Sequence, residues 1–132
     1  MIFYTGFRQN KFKNKRTEFG GRLYASKLES SVAADLELAR HAVNDADRVT
    51  EVIPQFQVNI WINNKGKIDD EPHIGSIKIC QYRPDFKVTY VDGHEEIIEA
   101  KGLWLSDALI KWRLLEALYS TKYPEVILRI VK

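Results

Sequence analysis

The residues best placed to do chemistry fall in one stretch, CQYRPDFKVTYVDGHEEIIEAKGLWLSD, from Cys80 to Asp107. Thirteen residues separate Asp85 from Glu99, and Asp92-Gly93 within that interval reads as the turn of a β-hairpin. Side chains alternate along a strand. Glu95, Ile97, Glu99 and Lys101 should therefore share one face, with Ile98 and Ala100 on the other. In the partner strand Asp85, Lys87 and Thr89 alternate with Phe86, Val88 and Tyr90, so one face is expected to be charged and the other apolar. The loop decides which residues meet. A two-residue Asp92-Gly93 turn puts Asp85 and Glu99 on opposite faces. A three-residue loop, Val91-Asp92-Gly93 with Gly93 left-handed, sets Asp85 opposite Glu99, Phe86 opposite Ile98 and Val88 opposite Glu96. Only the second register joins the charged faces, and it is the one expected.

In that register the two carboxylates lie roughly 5 Å apart at the backbone, with Lys101 one pleat beyond. Like charges this close repel, and one pKa rises unless a cation compensates. Oxygen ligands suit a hard cation, Mg²⁺ with Mn²⁺ as a substitute. Such an ion polarises a phosphate oxygen and acidifies a bound water, while a neighbouring lysine orients that water or offsets charge growing on the phosphorane. Other chemistries find little support. Cys80 is the only cysteine, which rules out an internal disulfide or a multi-thiolate zinc site, and it is expected to be a buried small residue. His41, His73 and His94 lack zinc-ligand spacing. No Gly-rich phosphate loop or Ser/His nucleophile pattern occurs, and Trp61, Trp104 and Trp112 are expected in the core or an interface rather than as base-stacking platforms.

The elements that must position this hairpin can be read outward from it. Residues flanking Gly20-Gly21 signal another hairpin. Ser26 opens a helical stretch through SKLESSVAADLELARHAVNDAD, with Leu28, Val32, Leu36, Ala39 and Val43 as its buried stripe and Ser26/Glu29 as a capping box. EVIPQFQVNIWI reads as one strand with Pro54 at an edge or bulge, NNKGKIDDEPHIG as a loop, and SIKICQY as a strand. A helix runs from about Ser106 to Thr121, with Ser106 and Asp107 as cap and acidic first turn. EVILRIVK closes the chain as a strand, expected to be central from its apolar density. The order implies an α/β fold, a mixed sheet flanked by helices with an N-terminal hairpin. At 132 residues, 45% apolar and 29% charged, the chain should form a single domain.

No apolar run is long enough to span a membrane, and MIFYTGFRQNKFKNKR does not read as a signal peptide. With one cysteine, the expected location is cytoplasmic. The net charge of +2 is unevenly spread. Residues 1–22 hold six basic groups against Glu18, a balance of +5, which leaves −3 for the remainder. An arm at about 1–16 containing Lys11, Lys13, Lys15 and Arg16 therefore suits a polyanion, although a solvated tail accounts for such a run equally well. Lys111 and Arg113 on the second helix could also touch phosphate, against a default of solvated helix charges.

Pro84-Asp85 followed by Glu99-Ala100-Lys101 resembles the signature of PD-(D/E)XK nucleases. KGLWLSD and the closing LRIVK resemble phage endonuclease I type Holliday-junction resolvases. NKRTEFGGRLYASKLES with VIPQFQV is similar to small phage proteins usually placed in the same superfamily. Together these matches cover about two-thirds of the chain, and the segment from Asn63 to Gly75 has no counterpart. The resemblance implies a restriction-endonuclease-like fold and a Mg²⁺-dependent endonuclease acting on branched DNA as a homodimer. It implies that Asp85, Glu99 and the Ala100 carbonyl are metal ligands, that Lys101 works on the water, and that Glu29 is a further acidic ligand. For Glu29 the other reading is a capping partner of Ser26. Gln55 is a candidate accessory residue, or a polar side chain on a half-exposed strand. The alternatives for function are a nuclease for nicked, mismatched or plain duplex DNA, and a non-catalytic nucleic-acid-binding module.

Overall fold

The computed structural model describes residues 17–19, 22–24 and 26–132. Strands β1 (Thr17–Phe19) and β2 (Arg22–Tyr24) pair antiparallel with Phe19 opposite Arg22, forming the expected hairpin. Helix α1 (Lys27–Ala39) begins where Ser26 is extended and its side-chain oxygen accepts the Glu29 N–H at 3.1 Å. Val32, Ala33 and Leu36 are buried, with Leu28 and Ala39 packed beside them. Val43 does not extend this stripe. The helix ends at Ala39 and Val43 is 95% exposed. Arg48 takes the Ala42 and Val43 carbonyls, and Asn44 Oδ1 accepts the Ala46 N–H. These local bonds replace a further helical turn.

The main sheet has strand order β3–β7–β8–β9. Strands β3 (Val49–Pro54), β7 (Phe86–Tyr90) and β8 (Glu95–Ala100) are antiparallel neighbours, and β9 (Ile127–Val131) lies parallel to β8 after the crossover through helix α2 (Ser106–Lys122). A smaller antiparallel sheet, β5–β4–β6, comprises β4 (Val58–Ile62), β5 (Ile68–Asp69) and β6 (Ile77–Tyr82). The class is α/β, as expected. Two hydrophobic clusters divide the core. Phe86, Val88 and Ile98 pack with α1, whereas Ile97 packs with Trp112, Leu115 and Leu118 of α2 and with Val58, Ile60 and Tyr82. Successive residues of β8 thus face opposite helices. Among the described residues no helix is long and apolar enough to cross a membrane.

Five expectations need correction. The segment 51–62 is two strands in two sheets, because Gln55 adopts a positive φ of 55° and turns the chain out of the main sheet after Pro54. The segment 63–75 contains a short strand, Ile68–Asp69, pairing with Trp61 and Ile62. β8 does not divide into a charged and an apolar face, since Ile97, on the side of Glu95 and Glu99, packs in the α2 cluster and Glu96 to Ala100 are all buried. Ser106 does not cap α2, for the N-cap position is Leu105 and has no side-chain bond, although Asp107 does lie in the first turn. β9 ends its sheet among the described strands, with Ile127 48% and Ile130 37% exposed, so apolar content did not mean a central place.

Candidate metal centre

The hairpin register is the one that joins Asp85 to Glu99. Phe86 faces Ile98, Val88 faces Glu96, and Gly93 has φ +95° in the loop closed by the Gly93 N–H donating to the Tyr90 carbonyl at 2.9 Å. Asp85 immediately precedes β7 and its carboxylate reaches across to β8, where Oδ2 accepts the Ala100 N–H at 2.8 Å. A strand residue turns its N–H and C=O to the same side, so the Ala100 carbonyl also faces Asp85. The Lys101 N–H donates to Val131 on the other side.

Glu99 is buried, at 4% exposure, and both its oxygens are held. Oε1 accepts the Asp85 N–H at 3.1 Å and Oε2 accepts the Tyr82 hydroxyl at 2.9 Å. Burial, then the Asp85 charge, pushes the Glu99 carboxyl up to about 8, with Lys101 opposing. Asp85 is also raised, chiefly by burial, against hydrogen bonds from Ala100, Glu99 and Gln55 and the charge of Lys101. Burial and the Glu99 charge keep Tyr82 a neutral donor. Lys101 is half-buried, and among the described residues its ammonium makes no hydrogen bond or ion pair.

Glu29 and Gln55 complete the arrangement. The Ser26 cap uses the backbone N–H of Glu29, while Glu29 Oε2 accepts from Gln55 Nε2 at 3.2 Å. The two readings of Glu29 are therefore compatible, since the cap and the carboxylate contact use different atoms. The Gln55 side chain also helps to lower the Asp85 carboxyl against its burial, and the Gln55 backbone N–H donates to the Asp85 carbonyl at 2.8 Å. The left-handed backbone of Gln55, uncommon for a residue with a side chain, is what aims this amide inward. Glu29, Gln55, Asp85, Glu99 and Lys101 thus gather from α1, the end of β3, the start of β7 and the end of β8. Their oxygen donors are the type that a hard cation prefers. Glu29, Asp85 and Glu99 do not bring three ligand atoms within 4.8 Å of one another, so the close pair is Asp85 with Glu99, and Glu29 is joined to it through Gln55.

A family model described as "Protein of unknown function (DUF1064)" matches residues 9–132. The chain belongs to the DUF1064 family. No curated protein and no solved structure matches it. In this DUF1064 chain Lys111 is a half-buried residue of α2 whose charge acts on the half-buried Cys80 thiol. Lys11, Lys13, Lys15 and Arg16 lie outside the described residues.

Tyr82 is the site residue that sequence reasoning missed. Its only signal was a position three residues before Asp85, and an aromatic at a strand end reads first as core. Trp112 is indeed core, at 2% exposure, standing edge-on to Tyr82 with centroids 6.4 Å apart, and Trp104 lies 6.1 Å from Trp112. Also unforeseen, Asp69, Glu71 and His73 bring ligand-type atoms within 4.8 Å of one another. Lys122 already pairs with Asp69 at 2.6 Å and holds its carboxyl well below the usual range, so this DUF1064 cluster reads as an ion-pair network.

Proposed function

We propose that the chain is a divalent-metal-dependent DNA endonuclease of the PD-(D/E)XK kind, with a restriction-endonuclease-like fold and a four-way junction as its favoured substrate. The observation that carries this reading is the chain of contacts in which Asp85 and Glu99 meet across the hairpin beside Lys101, with Glu29 joined to them through Gln55. Two carboxyls facing each other across the hairpin, with little water around them, cost stability, and a cation offsets that cost.

Asp85, Glu99, Glu29 and the Ala100 carbonyl would hold Mg²⁺, with Mn²⁺ able to substitute. When bound, the ion supplies Lewis-acid polarisation of a phosphate and an acidified water. The rest of the work falls to the chain. The Ala100 N–H fixes the rotation of the Asp85 carboxylate, and Tyr82 with the Asp85 N–H fixes that of Glu99. Gln55 ties Glu29 to the same place. Lys101, whose ammonium is not engaged by a described neighbour, orients the attacking water and offsets charge as the phosphorane forms. Junction preference and a homodimer follow from the resemblance, because resolving a four-way junction takes two cuts.

The test is incubation of the protein with four-way-junction, forked, nicked and linear DNA, in Mg²⁺ or in EDTA. Metal-dependent cutting is expected, strongest on the junction. Asp85→Asn should abolish it while binding DNA as tightly or more tightly, since a negative charge facing phosphate is lost. Tight binding with no cutting of any substrate, in either Mg²⁺ or Mn²⁺, overturns the nuclease in favour of a binding module.

A further inference from the structure

A polyanion has to approach Glu29, Asp85 and Glu99 closely for this site to act, and Lys101 is one cation against three acids. The arginines show where a second cation stands. Five arginine side chains are described, and four are neutralised by a carboxylate: Arg40 by Glu37, Arg48 by Asp45, Arg113 by Glu116 and Arg129 by Glu96. The fifth is Arg83, which is exposed and has no carboxylate partner among the described residues. It stands between two residues that each hydrogen-bond Glu99, Tyr82 through its hydroxyl and Asp85 through its N–H. Tyr82 and Pro84 on either side of it are buried, which fixes the Arg83 backbone two residues before Asp85.

Among the described residues the partner of Arg83 is uncharged. Its Nη2 donates to Gln57 Oε1 at 3.2 Å, and Gln57 Nε2 donates in turn to Asn59 Oδ1 at 3.5 Å. An amide acceptor orients a guanidinium without cancelling its charge, where a glutamate would do both. The remaining guanidinium donors suit the paired oxygens of a phosphodiester. We propose that Arg83, oriented by Gln57, is a substrate-binding residue that takes the DNA phosphate beside the one to be cut. The proposal rests on the nuclease reading above and adds to it the residues that dock the substrate.

The test measures binding of a fluorescent four-way junction and a linear duplex across a salt series, with every protein carrying Asp85→Asn so that DNA survives. Adding Arg83→Ala should weaken binding roughly tenfold at low salt. It should also lower the slope of log affinity against log salt by about 0.9, the share of one phosphate. Gln57→Glu is the discriminating variant. It keeps the shape and strengthens the anchoring of Arg83 but cancels its charge, so it should weaken DNA binding with no loss of thermal stability. A purely structural Arg83 would tolerate that change or gain from it. Arg40→Ala, on an arginine already paired with Glu37, should change neither quantity. Binding that is unchanged in Arg83→Ala, or as tight in Gln57→Glu, overturns the proposal. If Asp85→Asn alone binds neither DNA, the nuclease reading falls and takes this inference with it.

Discussion

Glu99 carries the clearest pH signature. Its carboxyl sits at about 8 in the folded chain against an ordinary 4.5, so the folded state holds a proton that the unfolded state has released across that interval. The stability that this proton confers is complete below about 4.5 and is lost as pH rises through about 8. Chelator-treated protein should therefore melt at progressively lower temperature from about pH 5 to pH 8, and Glu99→Gln should flatten the trend. Mg²⁺ needs ionised carboxylates, so its stabilising effect should grow over the same range and its binding should release protons, measurable by calorimetry in buffers of different ionisation enthalpy. A wild-type melting temperature independent of pH in chelator would contradict the assignment. Lys101 makes a separate demand. Lys101→Ala should slow cutting by orders of magnitude with metal affinity nearly unchanged, and arginine should not restore the rate, because a planar fork does not replace a compact ammonium beside water. Wild-type rates in Lys101→Arg would show that charge alone suffices.

Among the elements, the link between β3 and β4 is the most exacting. Gln55 holds a left-handed backbone that costs an L-residue roughly 1–2 kcal/mol, and glycine escapes that cost. Gln55→Gly should thus be more stable than Gln55→Ala by about 1 kcal/mol in denaturant unfolding, while both lose most cleavage activity. Equal activity in wild type and Gln55→Gly would free the side chain from any role. The hairpin was legible beforehand because loop chemistry decides it. One glycine suited to a left-handed position selected the register, and alternation did the rest. The break at Gln55 was not legible, since QFQVNIWI continues an alternating pattern and no glycine marks the turn. Glu29 was readable only through resemblance, because its spacing from Ser26 already had a local explanation. Tyr82 and Arg83 were hidden for a different reason. Their contacts depend on how the chain bends at Pro84 between two sheets, and local periodicity carries no record of that.

At the scale of the molecule, the segment 63–75 is stitched to the end of α2. Lys122 bridges Asp69 and Asp70, and the Tyr123 hydroxyl donates to Asp70 Oδ2 at 2.7 Å. Exposed pairs of this kind contribute little to global stability, so Lys122→Met should cost no more than about 1 kcal/mol. Its effect should instead be local. Hydrogen exchange should speed up around residues 67–71, high salt should mimic the substitution in wild type, and DNA cleavage should persist. Unchanged exchange there would show that β5 pairing alone holds the segment.

The bond from the Gln55 N–H to the Asp85 carbonyl has a topological meaning too. The chain leaves the main sheet at Gln55, builds all of β4, β5 and β6, and comes back to the point of departure at Asp85. Residues 56–84 are therefore an excursion tied off at its neck, and the knot is made by two residues of the carboxylate cluster. What happens on the outward side of that excursion, at Asn59 or Gln81 for instance, can be rewritten without moving the neck. Under the proposed reading, this excursion is the part in which a preference for DNA shape can change as one cassette while Asp85 and Glu99 stay in place.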